Sequence, residues 1–239
     1  MKLLCLFLLS TCLYPQATSQ VTTKVKNITH RLDSTSIVHD STGHLIPYNT
    51  WSPLLTGGDY VIAGGPPGSP DSNYLVLRQV TRQEKERSAH IMPSRPSPNF
   101  PDGQLFDFSA KSLDGTSYTI SQLKGKIVVL HISALNHFPE TELPSYNEVI
   151  DSFGTSGKLV FLCITPVKTA DTKKLLQGVS LQYPVIADQQ PFLKTTGVHM
   201  YPQDIVLDKD GKVFYSSTGK GTSTVIWLEK KIRALLLVP

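Results

Sequence analysis

The feature that most constrains this chain is an alternation of strand-like and helix-like patterns from about residue 104 onward. Residues 127–132 and 159–164 are nearly continuous apolar runs, which is typical of strands covered on both faces. Apolar residues recur at helical spacing over 143–153 between these runs, and residues 169–177 predict a short helix after the second. The alternation predicts an α/β fold in which helices connect parallel strands.

Turn signals add antiparallel strands to this pattern. Leu113-Asp114-Gly115 predicts a hairpin between residues 105–109 and 116–120. Asp208-Lys209-Asp210-Gly211 predicts a second hairpin, between 205–207 and 212–215. A third strand candidate covers 183–187, and apolar spacing after Ser223 predicts a closing helix. The expected fold is a central mixed sheet with helices on both faces.

The preceding region, residues 20–91, has a mixed pattern that does not define a fold. Short strands or a hairpin are predicted at 59–63 and 74–78, and the wholly polar stretch 82–87 is predicted to be solvated. Residues 92–103 are rich in proline, which favours an extended linker over packed structure. We therefore expect a domain boundary near residue 100.

The first 19 residues are interpreted as a secretory signal peptide. Lys2 supplies the positive start, residues 3–13 are apolar but too short to span a bilayer, and Ala17-Thr18-Ser19 predicts cleavage before Gln20. We expect an exported protein, periplasmic or secreted, without a membrane span. A lipid anchor on Cys12 is the less favoured alternative, because Thr11 stands where a lipid-attachment motif usually has a smaller residue.

Charge does not indicate a nucleic-acid partner. The chain has 23 Lys and Arg against 19 Asp and Glu, a formal net charge of +4. The basic residues are scattered and interspersed with acidic ones, so no basic face is predicted.

Several motifs in the C-terminal half resemble one known family. They are Phe106-Asp107-Phe108, Leu113-Asp114-Gly115, Leu123-Lys124-Gly125-Lys126, Val128-Val129-Leu130-His131, Glu142-Leu143-Pro144, Tyr183-Pro184-Val185, Gly197-Val198, Pro202 and the turn at 208–211. In this order they resemble the redoxin group, which includes the TlpA and ResA thiol–disulfide oxidoreductases and the AhpC/TSA peroxiredoxins. The resemblance implies a thioredoxin-like fold for residues 104–239 and a thiol–disulfide oxidoreductase ancestry.

The chain departs from that family at the active-site motif. Family members carry Trp-Cys-x-x-Cys between the first buried strand and its helix. Counting back from Glu142-Leu143-Pro144 places Asn136 and Pro139 in the cysteine positions, and counting forward from the strand places His137 and Glu140 there. Thiol exchange needs an attacking thiolate and a second thiol to resolve the mixed disulfide, so no catalytic residue is expected.

The three cysteines of the chain do not replace the missing pair. Cys5 and Cys12 fall in or beside the signal peptide, and Cys163 lies in an apolar strand, where a buried and inert thiol is expected. His131 is likewise expected to be a hydrogen-bonded core histidine.

Two ligand hypotheses remain for the same loop. His137, Glu140 and Glu142 could contribute to a metal site, although the two glutamates are better explained by the positive end of a helix. No metal or other cofactor is therefore expected. A small-ligand or metal site at 136–142 stays an alternative.

The resemblance gives Pro202 a second meaning. The family's equivalent proline is cis and borders the groove that takes an extended peptide, so Pro202 either only shapes the fold or also contributes to binding. We expect Phe138, His199, Tyr201 and Pro202 to bind an extracytoplasmic protein or peptide. The competing hypothesis is an active oxidoreductase or antioxidant protein that uses Cys163 or a partner's cysteines.

Overall fold

The computed structural model describes residues 32–64, 75–91, 94–135, 143–154 and 157–237. Within the first two of these ranges, the chain forms a small four-stranded sheet with two helices. The elements in chain order are β1 (Val38–His39), β2 (Leu45–Ile46), α1 (Tyr48–Leu54), β3 (Tyr60–Gly64), β4 (Leu75–Gln79) and α2 (Arg82–Ile91). The strand order is β2-β1-β4-β3, with β1 and β4 parallel and the other pairs antiparallel. Val38, Trp51 and Leu77 form its buried centre.

Two predictions for this region have different outcomes. The strands predicted at 59–63 and 74–78 are confirmed as the antiparallel pair β3 and β4, in which Tyr60 lies opposite Gln79. The prediction that residues 82–87 are solvated is wrong for Lys85, which is 4% exposed. Burial of its ammonium group is tolerated because two carboxylates, those of Asp59 and Glu148, compensate its charge.

The C-terminal half is built around a five-stranded mixed sheet. Its elements are β5 (Ser109–Lys111), β6 (Ser117–Thr119), α3 (Ile120–Leu123), β7 (Ile127–Ile132), a 3-10 turn (Pro144–Tyr146), α4 (Asn147–Asp151), β8 (Leu159–Ile164), α5 (Thr169–Leu175), β9 (Val185–Ile186), α6 (Gln190–Thr195), β10 (Gln203–Leu207), β11 (Val213–Thr218) and α7 (Thr224–Leu236). The strand order is β11-β10-β7-β8-β9. Strands β7, β8 and β9 are parallel, and β10 is antiparallel to both of its neighbours. The predicted α/β fold with a mixed sheet is confirmed.

Both faces of the sheet are buried, as the apolar runs predict. All six residues of β7 are at most 2% exposed. Ile127 and Val129 pack into one apolar cluster, while Val128, Leu130 and Ile132 pack into the other, on the opposite face. Burying one such side chain stabilises the fold by roughly 1.5–3 kcal/mol, so this alternation fixes the register of the central strand.

Several helices and strands begin or end at other residues than the apolar pattern predicts. The helix expected over 143–153 begins as a 3-10 turn with Pro144 at its first position, and only 147–151 is α-helical. The first hairpin is displaced to 109–111 and 117–119, and the strand expected at 183–187 is reduced to two residues. Helix α6 was not predicted.

The proline-rich segment packs against the sheet, so the prediction of an extended linker over packed structure is not met in its described part, 94–103. The Phe100 side chain is 2% exposed, and Ser97 donates a 2.8 Å hydrogen bond to Oε1 of Gln203. The backbone amide of Thr218 donates to the carbonyl of Arg95 at 2.9 Å, which covers part of the edge of β11. Prolines interrupt helices and strands here, but the residues between them still supply apolar area and carbonyl acceptors.

Two further predictions concern the membrane and the leader. Across the described ranges, no helix is both long and apolar enough to cross a membrane. The interpreted signal peptide and Cys12 lie outside the described residues.

Candidate functional site

The candidate site lies where the central strand β7 ends beside the start of β10. Gln203 is the register partner of Ile132, so the backbone of Tyr201 and Pro202 continues alongside residues 133–135. The Tyr201–Pro202 peptide bond is cis. We call residues 133–135 and 199–202 the candidate face.

The β7 side of the candidate face has a fixed backbone. The Ser133 amide donates to the carbonyl of Ile164 at 3.0 Å, and its hydroxyl accepts from the amide of Leu135 at 3.1 Å. Leu135 has φ 52°, in the left-handed region that favours glycine, yet its side chain is 1% exposed and lies in the core. Burial of the leucine therefore holds the backbone of Leu135 itself in an unfavourable conformation.

Most of the residues singled out from the sequence follow directly after Leu135. Asn136, His137, Phe138, Pro139 and Glu140 lie outside the described residues, so their roles stay predictions. Chain geometry is described again from Leu143, which is completely buried.

The other side of the candidate face is a loop anchored from three directions. Asn99 donates to the carbonyl of Gly197 at 2.8 Å, the Gln203 amide donates to the carbonyl of Met200 at 3.0 Å, and the Gly219 amide donates to the carbonyl of Pro202 at 2.8 Å. These bonds position the loop without using its side chains.

The side chains of that loop remain available at the surface. His199 is exposed, Met200 is 49% exposed, and Tyr201 is partly buried. Removal from water raises the pKa of Tyr201 above its usual range, so its phenol stays neutral near pH 7. The structure thus brings His199, Tyr201 and Pro202 together beside residues 133–135.

A buried polar cluster lies next to the candidate face along β7 and β10. His131 of β7 is completely buried, and its Nδ1 atom lies 2.8 Å from Oδ1 of Asp204 on β10. The Tyr146 hydroxyl lies 3.2 Å from the other oxygen, Oδ2, and the rings of Tyr146 and His131 are 4.1 Å apart. The expectation that His131 is a hydrogen-bonded core histidine is confirmed. Asp204 was missed, although a carboxylate at the start of an apolar strand is a signal that a sequence offers.

Cys163 is buried on the neighbouring strand. Its exposed fraction is 0%, and it is the register partner of His131 in the β7–β8 pair. The predicted burial of this thiol is confirmed. A disulfide-containing polypeptide cannot reach it without the sheet opening.

Metal ligands do not gather in the described part of the chain. Among the described residues, no three His, Cys, Asp or Glu side chains come together as a metal site would require. The hypothesis of a site at 136–142 falls outside them.

Comparisons with known proteins agree with this geometry. Residues 101–216 match the AhpC/TSA family model. The C-terminal half of the chain has a thioredoxin-like fold, and we call it the redoxin domain after the family model that it matches. The redoxin domain is 29% identical over 118 residues to the thiol-disulfide oxidoreductases ResA of Bacillus thuringiensis (strain Al Hakam) and of Bacillus anthracis. Each alignment covers 48% of this chain and 68% of the relative.

Solved structures support the same fold. The redoxin domain superposes on a protein from Chlorobium tepidum described as thiol:disulfide interchange protein DsbE, with a TM-score of 0.52 and 22% identity. That match covers 57% of this chain and 99% of the other. A protein from Bacteroides thetaiotaomicron described as a protein disulfide isomerase gives a TM-score of 0.50 at 19% identity, covering 57% of this chain and 91% of the other.

Proposed function

We propose that this protein is an exported redoxin-domain module that binds an extracytoplasmic protein or peptide and does not itself exchange thiols and disulfides. One observation carries the proposal. After residue 12 the sequence has a single cysteine, Cys163, and its exposed fraction is 0%. A redoxin domain in this state keeps the family's scaffold without an accessible thiol.

A single buried thiol cannot sustain thiol–disulfide exchange, for a chemical reason. The reaction needs a thiolate that can approach a disulfide sulfur, and a second thiol that releases the mixed disulfide. Neither possible register of the family motif, Asn136 with Pro139 or His137 with Glu140, supplies sulfur. Binding of a protein or peptide requires neither the attacking thiolate nor the second thiol.

The candidate face offers what binding of an extended chain requires. Tyr201 and Met200 supply apolar area at the surface, and His199 adds an exposed polar side chain. Hydrogen bonds from Asn99, Gln203 and Gly219 hold the loop in place, so little ordering is needed when a partner arrives. An extended peptide that pairs with backbone groups is the mode of recognition we propose, with Phe138 as a further contact.

A second function, that of an oxidoreductase or antioxidant protein, is supported by the position of Cys163 opposite His131. A neighbouring histidine can favour the thiolate form of a cysteine. The burial of Cys163 argues against this function, which would need a partner's cysteines or an opening of the sheet. A metal or small-ligand site at 136–142 is a third candidate.

Export is part of the proposal and has its own measurement. The intact mass of the protein recovered outside the cytoplasm should correspond to a chain that begins at or near Gln20. A mass that retains residues 1–19, or a diacylglycerol adduct on Cys12, would contradict this form of the proposal.

Binding is tested with an unfolded probe that has no free thiols. Reduced, carboxymethylated α-lactalbumin should bind the purified protein, and Tyr201→Ala should weaken that binding. Tyr48→Ala is the matched control, because Tyr48 is 45% exposed and lies on α1, outside the redoxin domain. Equal binding by both variants and the unaltered protein, with circular dichroism showing that all are folded, would reject the candidate face as the site.

A further inference from the structure

The turn before β3 makes a close backbone contact with the loop that follows β11. Gly58 has φ +73°, and a Cβ atom there would lie 2.4 Å from the backbone nitrogen of Thr222. Only glycine fits this approach. The next residue, Asp59, pairs through its carboxylate with the ammonium group of Lys220.

Asp59 pairs with two buried lysines from different parts of the chain. Its Oδ2 atom bonds Lys220, and its Oδ1 atom lies 3.6 Å from Nζ of Lys85 on α2. The side chains of Lys220 and Lys85 are 4% and 5% exposed. Lys85 has a second carboxylate, Glu148 of α4, at 2.9 Å. A buried ammonium needs a compensating charge, and the Asp59 carboxylate supplies one to Lys220.

Lys220 is connected to both sides of the candidate face. The residue before it, Gly219, donates its amide to the carbonyl of Pro202 at 2.8 Å. Its own Nζ atom lies 5.8 Å from the ring centroid of Tyr146. The Tyr146 hydroxyl reaches Oδ2 of Asp204 at 3.2 Å, and Oδ1 of Asp204 lies 2.8 Å from His131 of β7.

We propose that Asp59, which lies outside the redoxin domain, is a positioning residue for the candidate face. It fixes Lys220, and Lys220 fixes the Pro202 loop through Gly219 and the β7 end through Tyr146 and Asp204. This inference rests on the proposed function, since it names a residue that prepares the same face for binding. When Asp59 is neutral, Lys220 loses this ion pair, and both sides of the face lose the support that the pair gives them.

The test compares two carboxylates, those of Asp59 and Glu229. Each forms an ion pair between the N-terminal region and the redoxin domain. Asp59→Asn removes the charge next to Lys220. Glu229→Gln is the matched control, because Glu229 is a 4% exposed side chain of α7 whose two oxygens each lie 2.6 Å from the guanidinium of Arg82. Both variants weaken an ion pair between the N-terminal region and the redoxin domain, but only the first neutralises the carboxylate that holds Lys220.

Amide chemical shifts of the purified full chain are the first measurement, and they need no ligand. Asp59→Asn should shift the resonances of Ser133, Leu135, Tyr201 and Gln203, and Glu229→Gln should leave them in place. Lys220→Met should shift the same four resonances, which keeps the inference testable if Asp59→Asn does not fold. Equal shifts from Asp59→Asn and Glu229→Gln, or none from Lys220→Met, would overturn it.

Binding of carboxymethylated α-lactalbumin is the second measurement. Asp59→Asn should weaken it by at least about fivefold, the lower end of typical coupling between sites, while Glu229→Gln stays within twofold of the unaltered protein. If Asp59→Asn binds as well as Glu229→Gln, Asp59 does not position the face. If the unaltered protein does not bind the probe, the proposed function fails, and the chemical shifts alone decide the role of Asp59.

Discussion

The Nδ1 atom of His131 lies 2.8 Å from Oδ1 of Asp204, inside a sheet where the two side chains are 0% and 1% exposed. The two residues face each other on adjacent antiparallel strands, β7 and β10. Tyr146 contacts the same carboxylate from the 3-10 turn. One aspartate therefore bonds polar groups from two other elements, two residues after Pro202 of the candidate face.

Asp204→Ala should be strongly destabilising, because it leaves His131 and Tyr146 without their shared acceptor. Each buried polar group that loses its hydrogen-bond partner costs about 1–3 kcal/mol. Urea unfolding measures this loss in the free energy of unfolding. Asp210→Ala, at an exposed turn position, is the control and should stay within about 0.5 kcal/mol. A loss at Asp204 as small as that at Asp210 would mean that the pair is dispensable.

Leu135 should respond to glycine unlike other buried leucines. Leu135→Ala should cost about 2–5 kcal/mol, because a buried side chain is lost. Leu135→Gly should cost no more than Leu135→Ala, since φ 52° suits glycine better than alanine. At Leu143, where φ is −69°, glycine should instead cost about 0.5–1 kcal/mol more than alanine. Thermal or urea unfolding of the four variants makes the comparison, and the same order at both positions would contradict it.

Asp40 should make folding sensitive to acid. A hydrogen bond from the Thr42 hydroxyl and another from the His44 backbone amide lower the pKa of Asp40 to about 2. In the unfolded chain an aspartate titrates at about 3.9, so the unfolded state binds the proton more readily. The contribution of Asp40 is therefore fully present above about pH 4 and is lost as the pH falls through about 2.

The measurement is the free energy of unfolding as a function of pH. Asp40→Asn should flatten the part of the curve between about pH 4 and pH 2. Identical slopes for the variant and the unaltered protein in the acid range would show that the Asp40 turn does not form as described.

Phe100 should be part of the folded core. Its ring is 2% exposed and packs 5.7 Å from the ring of Phe106, centroid to centroid. Phe100→Ala should cost about 3–5 kcal/mol in urea unfolding. Leu105→Ala is the control, because Leu105 is 67% exposed and should change stability by less than about 0.5 kcal/mol. If the proline-rich segment were an unpacked linker, Phe100→Ala would change the free energy of unfolding as little as Leu105→Ala does.

The sequence predicted the central sheet well because its strands are buried on both faces. Leu159–Ile164 matches its predicted bounds, and the strands beside the turn at 208–211 pair as expected. Such continuous apolar runs are compatible with few structures, because every side chain in them has to be buried on one face of the sheet or the other. Short elements such as Val185–Ile186 were placed less well, because tertiary contacts decide where a two-residue strand begins.

Polar contacts between residues far apart in the chain could not be predicted from the sequence. Lys85 lies in a run of polar residues that gives no hint of burial, and its partners are Asp59 and Glu148, the latter 63 positions away. The same holds for Ser97 and Gln203, which join the proline-rich segment to β10. Pairing of this kind depends on the finished fold. The sequence named His199, Tyr201 and Pro202 of the candidate face, but it missed Asp204 and Asp59, which lie outside that face.

The proposed function requires that this redoxin domain, whose cysteine Cys163 is completely buried, does not carry out thiol–disulfide exchange. Reduction of insulin by the purified protein, with a dithiol as the regenerating reductant, tests it most directly. The unaltered protein and Cys163→Ser should both give the rate of the reductant alone. A rate above that background, abolished in the Cys163→Ser variant while it remains folded, would contradict the claim and favour the oxidoreductase function.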